Sequence, residues 1–234
     1  MSLIHRQKGF SLTEVMLAVG TLAIGMSFIG GTFLVAVHLS TVATERTIAA
    51  VAADEAFAKI QLYGLNPASS LFAVNRQVKF TDTNSIPPEE FAYPSTKSNA
   101  DKQYYWSALC RPAYSGSANR IVQVTVFISR KIGSDSGIPA PAQVPVSIAA
   151  GAGNENKLTI NQAFQQSFIN SGSKIAANQT GRIYRVVERD AATQNIIILD
   201  RAWQEAVTDS VWVIPPAGGG KSPCIAVYQK EIRF

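Results

Sequence analysis

From Val15 to Thr44 the chain carries no Asp, Glu, Lys or Arg. No other feature limits the fold as much. The stretch 15–37 is about 23 residues long, and a helix needs about 20 to cross a bilayer. It contains no proline. Gly20, Gly25, Gly30 and Gly31 interrupt it, but glycine is tolerated in transmembrane helices better than in soluble ones. The run predicts a membrane-spanning helix. It is too long for the apolar region of a cleavable secretory signal, and no small-residue cleavage pattern follows it.

The flanks set the orientation. Arg6 and Lys8 lie just before the run, with His5 beside them. The positive-inside rule keeps that end in the cytoplasm and sends the long C-terminal part across. Glu14 stands at the very start of the run, so a carboxylate enters the membrane with it. At such a depth a charge costs a few kcal/mol unless it is paired. No Lys or Arg follows within the span. A free amine made by cutting the chain just before Phe10 would serve as the partner.

The segment Lys8-Gly9-Phe10-Ser11-Leu12-Thr13-Glu14-Val15 resembles the processing signature of type IV pilins and type II secretion pseudopilins. The resemblance implies a leader over residues 1–9, with Arg6 and Lys8 as its charge. It implies cutting by a prepilin peptidase between Gly9 and Phe10, and N-methylation of Phe10. Glu14 then matches the family's acidic residue, which neutralises that amine on a neighbouring subunit during assembly. Processing would lower the formal net charge of +5 by the two units of Arg6 and Lys8. The implied partners are the peptidase, other pilin or pseudopilin subunits, the inner-membrane assembly platform and the membrane itself. The implied location is the bacterial inner membrane, crossed once with the head outside the cytoplasm, and then a pilus or pseudopilus.

Within the span, Ala23, Ser27 and Gly31 recur every fourth residue. Such a small-xxx-small face lets another helix approach closely, although small residues are also simply common in membrane helices. The family's membrane helix usually loosens near its middle, often at a proline. Here Gly30-Gly31 is the corresponding weak point, each interior glycine costing about 1 kcal/mol against alanine in water.

The helix is expected to run on to Tyr63. The stretch 40–63 is alanine-rich and free of proline. Val42, Ala49, Ala53, Phe57 and Ile60 share one face, and Glu55 and Lys59 form an i,i+4 pair on another. Gly64, Asn66 and Pro67 supply the stop. One helix over 10–64 would be about 80 Å long, with 10–37 in the membrane and the rest packed under a head over 65–234. The segment 49–62, with Ala-Asp-Glu-Ala, is similar to the minor pilins and minor pseudopilins.

The head reads as β-rich, so the fold class is α+β: a long helix on an antiparallel sheet. A first strand is expected over 71–80 and a loop over 82–102. The aromatic triple Tyr104-Tyr105-Trp106 reads as the half-buried start of a strand. Residues 120–130 alternate cleanly around Val122, Val124, Val126 and Ile128, which predicts one covered face. Residues 133–145, with three prolines, read as loop. Short strands at 157–160, 174–176, 181–189, 196–199 and 210–214 suggest a small inserted barrel over 157–216. A last strand over 224–234 is expected to pair with 120–130.

Composition narrows the chemistry. Hydrophobic residues make up 47% of the 234 residues and charged ones 16%, against about 25% charged in ordinary soluble domains. Two histidines, His5 and His38, both lie outside the head. That removes the commonest general base and zinc ligand, and neither a cofactor nor a metal is expected. Gly218-Gly219-Gly220-Lys221-Ser222 lacks the earlier glycine of a phosphate loop, whose place Pro215 takes. The paired acids Asp54-Glu55 and Glu89-Glu90 read as solvated charge. Arg182, Arg185, Arg189 and Arg201 carry no nucleic-acid motif and read as dispersed surface charge. For Cys110 and Cys224, a disulfide and two free thiols both stand open. Many members of the resembled family carry a C-terminal disulfide, but this wide spacing is not its usual form.

Two functions fit. One is a minor pilin or pseudopilin, not an enzyme, in a pilus, a type II secretion system or a DNA-uptake machine. The other is a membrane-anchored extracytoplasmic binding domain that never polymerises, which leaves Glu14 buried without a reason.

Overall fold

The computed structural model describes residues 9–66, 72, 75–96, 102–114, 121–131, 138–149, 153–216, 220 and 222–234. It divides into two compact units, Met1–Glu45 and Arg46–Phe234. Helix α1, Leu12–Tyr63, contributes to both.

In the first unit α1 is the regular structure. It runs unbroken through Gly20, Gly25, Gly30 and Gly31, so the expected weak point at Gly30-Gly31 produces no break. Every residue from Gly9 to Thr41 is exposed. This is the single helix, among the described residues, long and apolar enough to cross a membrane.

The second unit is α+β. The last part of α1 buries Ala49, Ala52, Ala53, Ala56, Phe57 and Ile60. This is the expected face from Ala49 onward, widened by Ala52 and Ala56, whereas Val42, expected on it, is only half-buried. Gly64 ends the helix: its N–H returns to the Ile60 carbonyl at 3.0 Å and its φ is 74°, a left-handed conformation that glycine adopts without penalty.

The main sheet is antiparallel. Its strands are β1 (Val78–Lys79), β2 (Ala92–Tyr93), β3 (Tyr104–Pro112), β4 (Ile121–Arg130) and β11 (Cys224–Arg233), in the order β1-β3-β4-β11, with β2 also on β3. The expected pairing of the last strand with β4 is present, from Cys224↔Ser129 to Arg233↔Ile121. Val122, Val124, Val126 and Ile128 of β4 join Trp106, Ala108 and Cys110 of β3 in the core under α1. The other face of β4 is covered as well: Thr125, Phe127 and Ser129 are at most 1% exposed. Alternation alone revealed one covered side, because the second carries polar residues.

The strand expected over 71–80 is confined to Val78–Lys79 among the described residues. Phe80 instead opens a helical turn, α2 (Phe80–Thr83). It is fully buried and lies 6.2 Å from the Trp106 ring. The region expected as loop holds a 3-10 turn, Pro88–Phe91, and β2.

The remaining strands close into a six-stranded antiparallel barrel: β5 (Ala142–Ile148), β6 (Lys157–Ile160), β7 (Lys174–Ala177), β8 (Ile183–Arg189), β9 (Ile196–Leu199) and β10 (Thr208–Val213). The order is β10-β5-β6-β9-β8-β7, and β7 pairs back to β10. Alternate residues point inward, among them Val144, Leu158, Ile175, Tyr184, Ile197 and Val211. This period-2 pattern gives the barrel a core of its own. The barrel begins at Ala142, not at residue 157, so part of the expected loop is a strand. Pro145 concealed it. A proline cannot donate to a ladder. Its carbonyl accepts the Asn161 N–H, so its donorless nitrogen faces the place where β6 has already ended.

Candidate functional site

The site that the sequence singles out is the entry to α1. Gly9, Phe10 and Ser11 are not helical, and the helix starts at Leu12. The Ser11 carbonyl accepts N–H bonds from Glu14 at 3.1 Å and Val15 at 3.2 Å. Its hydroxyl also accepts from the Glu14 N–H at 3.2 Å and lies 2.8 Å from the Thr13 hydroxyl. Ser11 is therefore the N-cap, and Glu14 is the third helical residue. That is the Ser-x-x-Glu spacing of a capping box, with apolar Phe10 and Val15 at the positions of a hydrophobic staple. The Ser-x-x-Glu spacing that makes this cap is legible in the sequence itself and gives Glu14 a local role beside any charge partner. A carboxylate in the first turn also faces the positive end of the helix dipole, worth about 0.3–1 kcal/mol at an exposed site.

The structure thus brings Phe10 and Glu14 to one helix end. Phe10 is 82% exposed. Among the described residues, the Glu14 carboxylate has no ion-pair partner. Arg6 and Lys8 lie outside the described residues.

Along the run, hydroxyls turn back onto their own helix. Thr21 donates to the Ala18 carbonyl, Ser27 to Ala23, Thr32 to Phe28, Thr41 to Val37 and Thr44 to Ser40, at 2.9–3.1 Å. In hydrocarbon an unsatisfied polar group costs several kcal/mol, so these bonds suit the helix to an apolar surrounding. Ala23, Ser27 and Gly31 lie along one exposed stripe, and nothing stands within 4 Å of where a Gly31 side chain would begin.

The two cysteines are free, and the register explains why they do not bond. Cys110 pairs with Val124 of β4, whereas Cys224 pairs with Ser129. Five residues along the sheet and two strand spacings across it separate them by about 20 Å. A disulfide needs Cα atoms within about 7 Å. They also belong to opposite faces: Cys110 to the core under α1 and Cys224 to the cluster against the barrel. Burial pushes both thiols up, Cys224 to about 12 and Cys110 further, so neither is a ready nucleophile.

The acids of the head are more engaged than the sequence suggested. Lys59 Nζ lies 3.2 Å from the Glu55 carboxylate, 2.9 Å from that of Glu90, and donates to the Glu90 carbonyl at 2.8 Å. Glu90 is therefore a tie between α1 and the 3-10 turn, in place of the solvated loop charge expected. In the barrel, the side chain of Glu205 is 2% exposed and accepts from the Thr180 hydroxyl at 2.7 Å and the Tyr184 hydroxyl at 3.1 Å.

Three of the four barrel arginines have partners within the barrel. Arg182 donates to Gln204, Arg189 to the Ile169 and Gln166 carbonyls, and Arg201 to the Ile183 carbonyl while covering the Tyr184 ring. Trp106 and Tyr105 are buried in β3. Gly218, Gly219 and Lys221 lie outside the described residues, and the chain after them enters strand β11. Among the described residues no three His, Cys, Asp or Glu side chains converge to hold a metal ion. No family model, no curated protein and no solved structure matches the chain.

Proposed function

We propose that the chain is a minor pilin or pseudopilin, a structural subunit and not an enzyme. A prepilin peptidase would cut it after Gly9, Phe10 would be N-methylated, and the product would assemble into a type IV pilus or a type II secretion pseudopilus. The observation that carries this reading is the Glu14 carboxylate, without an ion-pair partner among the described residues and set in the first turn of a long apolar helix directly after a non-helical Gly9-Phe10 junction. A new amine on Phe10 would sit one residue before the cap and supply a positive charge for the Glu14 of a neighbouring subunit. The exposed apolar helix supports the reading further, because it needs lipid or other helices around it. In the membrane the head would lie outside the cytoplasm. In a filament the neighbours would be other subunits.

The capping geometry favours a second reading. As the third residue of a capped helix, Glu14 has a local reason to be there without any neighbouring amine. A membrane-anchored extracytoplasmic domain that does not polymerise needs nothing more. Mass spectrometry of the N-terminus, from membranes with and without the peptidase, separates the two. A peptide beginning at methylated Phe10, present only with the peptidase, is the expected result. An intact leader in both samples refutes the pilin reading. A DNA-uptake pseudopilin would give the same peptide, and loss of transformation on deletion would identify it.

A further inference from the structure

The fourth barrel arginine, Arg185, takes no part in the side-chain pairings within the barrel, and the fold sets it in a group of cations. On β7 and β8, Ile175 pairs with Tyr184 and both point into the barrel core, so the neighbouring pair Lys174↔Arg185 points outward. Like charges directly opposite across two strands destabilise a sheet. Arg185 is exposed. Lys174 is half-buried, and its Nζ donates to the Ile225 carbonyl of β11 at 2.8 Å. That leaves two of its three ammonium donors for another acceptor.

β11 carries the group on to α1. Ile225 and Tyr228 pack against the core that holds Ala226 and Ala49. Arg46 lies three residues before Ala49, on the same side of the helix, and is exposed. The Lys174 ammonium feels both arginines: burial lowers its pKa most, Cys224 raises it, and Arg46 and Arg185 each lower it further. No carboxylate is among the charges that act on it. Asp200 accepts the Arg185 backbone N–H at 3.0 Å, and Glu45 adjoins Arg46 in the chain. Even so, among the described residues neither the Arg46 nor the Arg185 guanidinium forms an ion pair. The three cations therefore repel one another without a counter-charge that joins them.

Their place in the chain says which anion they meet. The charge-free run from Val15 to Thr44, taken as one helix, is about 45 Å long, the thickness of a bilayer with its head groups. Arg46 follows two residues later, at the head-group surface. An arginine fork matches the oxygens of a phosphate, and two such forks flank the Lys174 ammonium. We propose that Arg46, Lys174 and Arg185 form a site for the phosphodiester head group of an anionic lipid, in the leaflet that the head faces. The lipid would tie the barrel to the membrane surface beside the exit of α1. The proposal rests on α1 spanning a membrane, which both functional readings share, and not on cleavage after Gly9.

The test uses the full chain in phosphatidylcholine bilayers that carry a trace of spin-labelled phosphatidylglycerol or spin-labelled phosphatidylcholine. Electron spin resonance gives the motionally restricted fraction of each lipid, and their ratio gives the preference for the anionic head group. Arg6 and Lys8 lie before the span and are the same in every variant. The expected result is that Arg46→Gln and Arg185→Gln each lower the preference by up to about fivefold, the worth of one cation near an anionic surface. Arg233→Gln removes the same charge about 27 Å along β11 from Ile225 and should leave the preference as it was. A preference unchanged by Arg46→Gln and Arg185→Gln, or lowered as much by Arg233→Gln, overturns the proposal. Inorganic phosphate, against chloride of equal ionic strength, should not abolish the preference; if it does, the site is one for a free anion and the lipid assignment falls. Restricted lipid of both kinds without any preference refutes the proposal alone. No restricted lipid of either kind refutes the membrane span and takes the proposal with it.

Discussion

Lys59→Met tests whether the Lys59 tie, invisible in local sequence, holds α1 to the head. Methionine keeps the apolar stem and removes the ammonium. Three contacts go: the carboxylates of Glu55 and Glu90, and the Glu90 carbonyl. The carbonyl keeps a donor, Trp106 Nε1 at 2.9 Å. The carboxylate side chains are 28% and 35% exposed, so water takes up much of their charge and the 3–5 kcal/mol of a fully buried broken pair does not apply. A charge-assisted hydrogen bond is worth about 1.5–3 kcal/mol and an exposed i,i+4 pair about 0.3–0.5. The expected loss is about 2 kcal/mol, or about 4–8 °C in Tm for a unit of this size. Calorimetry of the full chain in detergent, with Glu55→Gln and Glu90→Gln beside it, measures the loss. Glu90→Gln should cost more than Glu55→Gln, and the Lys59–Glu90 double-mutant cycle should couple by about 1 kcal/mol. A Tm shift under about 1 °C, or no coupling, would show both carboxylates to be solvated and the tie worthless.

Further outcomes are expected. On the proposed pilin reading, Glu14→Ala should leave peptidase cleavage intact, read by the N-terminal peptide, while blocking incorporation into filaments, read by shearing and blotting; normal incorporation would end the pairing role. Ile60→Ala, at a fully buried position, should cost about 2–5 kcal/mol in denaturant unfolding, and a loss below 1 would mean the helix face is loosely packed. Non-reducing and reducing electrophoresis of the folded chain should show one mobility, since the cysteines are about 20 Å apart; a shift would contradict the register. Cys224 has its folded pKa raised from 9.0 to about 12. Its contribution to stability is complete below pH 9 and is lost as pH rises through 12, because the unfolded thiol ionises first. Cys224→Ala should flatten the stability profile in that window, and an unchanged slope would show the thiol to be solvated.

The sequence displayed most of the barrel because its strands are local. Leu158 with Ile160, Tyr184 with Val186, and Ile197 with Leu199 alternate within four residues. β5 was hidden by Pro145, a residue that reads as loop until its neighbour strand is known to end. Phe80, expected to close a strand over 71–80, instead opens a helical turn with its ring 6.2 Å from that of Trp106, a contact that local sequence does not reveal. Contacts that cross the chain were not legible. Glu90 meets Lys59 through a fold of intervening residues, and the separation of Cys110 from Cys224 follows from a register that no spacing reveals. The Ser11 cap was legible, since Ser-x-x-Glu carries its own geometry. The docking of Gly181, where a Cβ would lie 2.5 Å from Gln77 Nε2, was not, because only the sheet beneath it explains the need for glycine there.

The insertion of the barrel between two paired strands has a kinetic consequence. β4 and β11 are neighbours in space but about 90 residues apart in the chain, and closing such a loop costs entropy that grows as (3/2)RT ln n. If the barrel collapses first, the open chain shrinks to the two short crossings, about 20 residues, and closure becomes easier by about 1.3 kcal/mol. That is close to a tenfold gain in the rate of joining the sheet. The barrel would then act during folding as a splint that brings β11 to β4. Its hairpins β5–β6, β7–β8 and β8–β9 pair residues near in sequence and can form early, the longer β6–β9 and β5–β10 pairings then close the barrel, and the sheet on which α1 rests would be completed last.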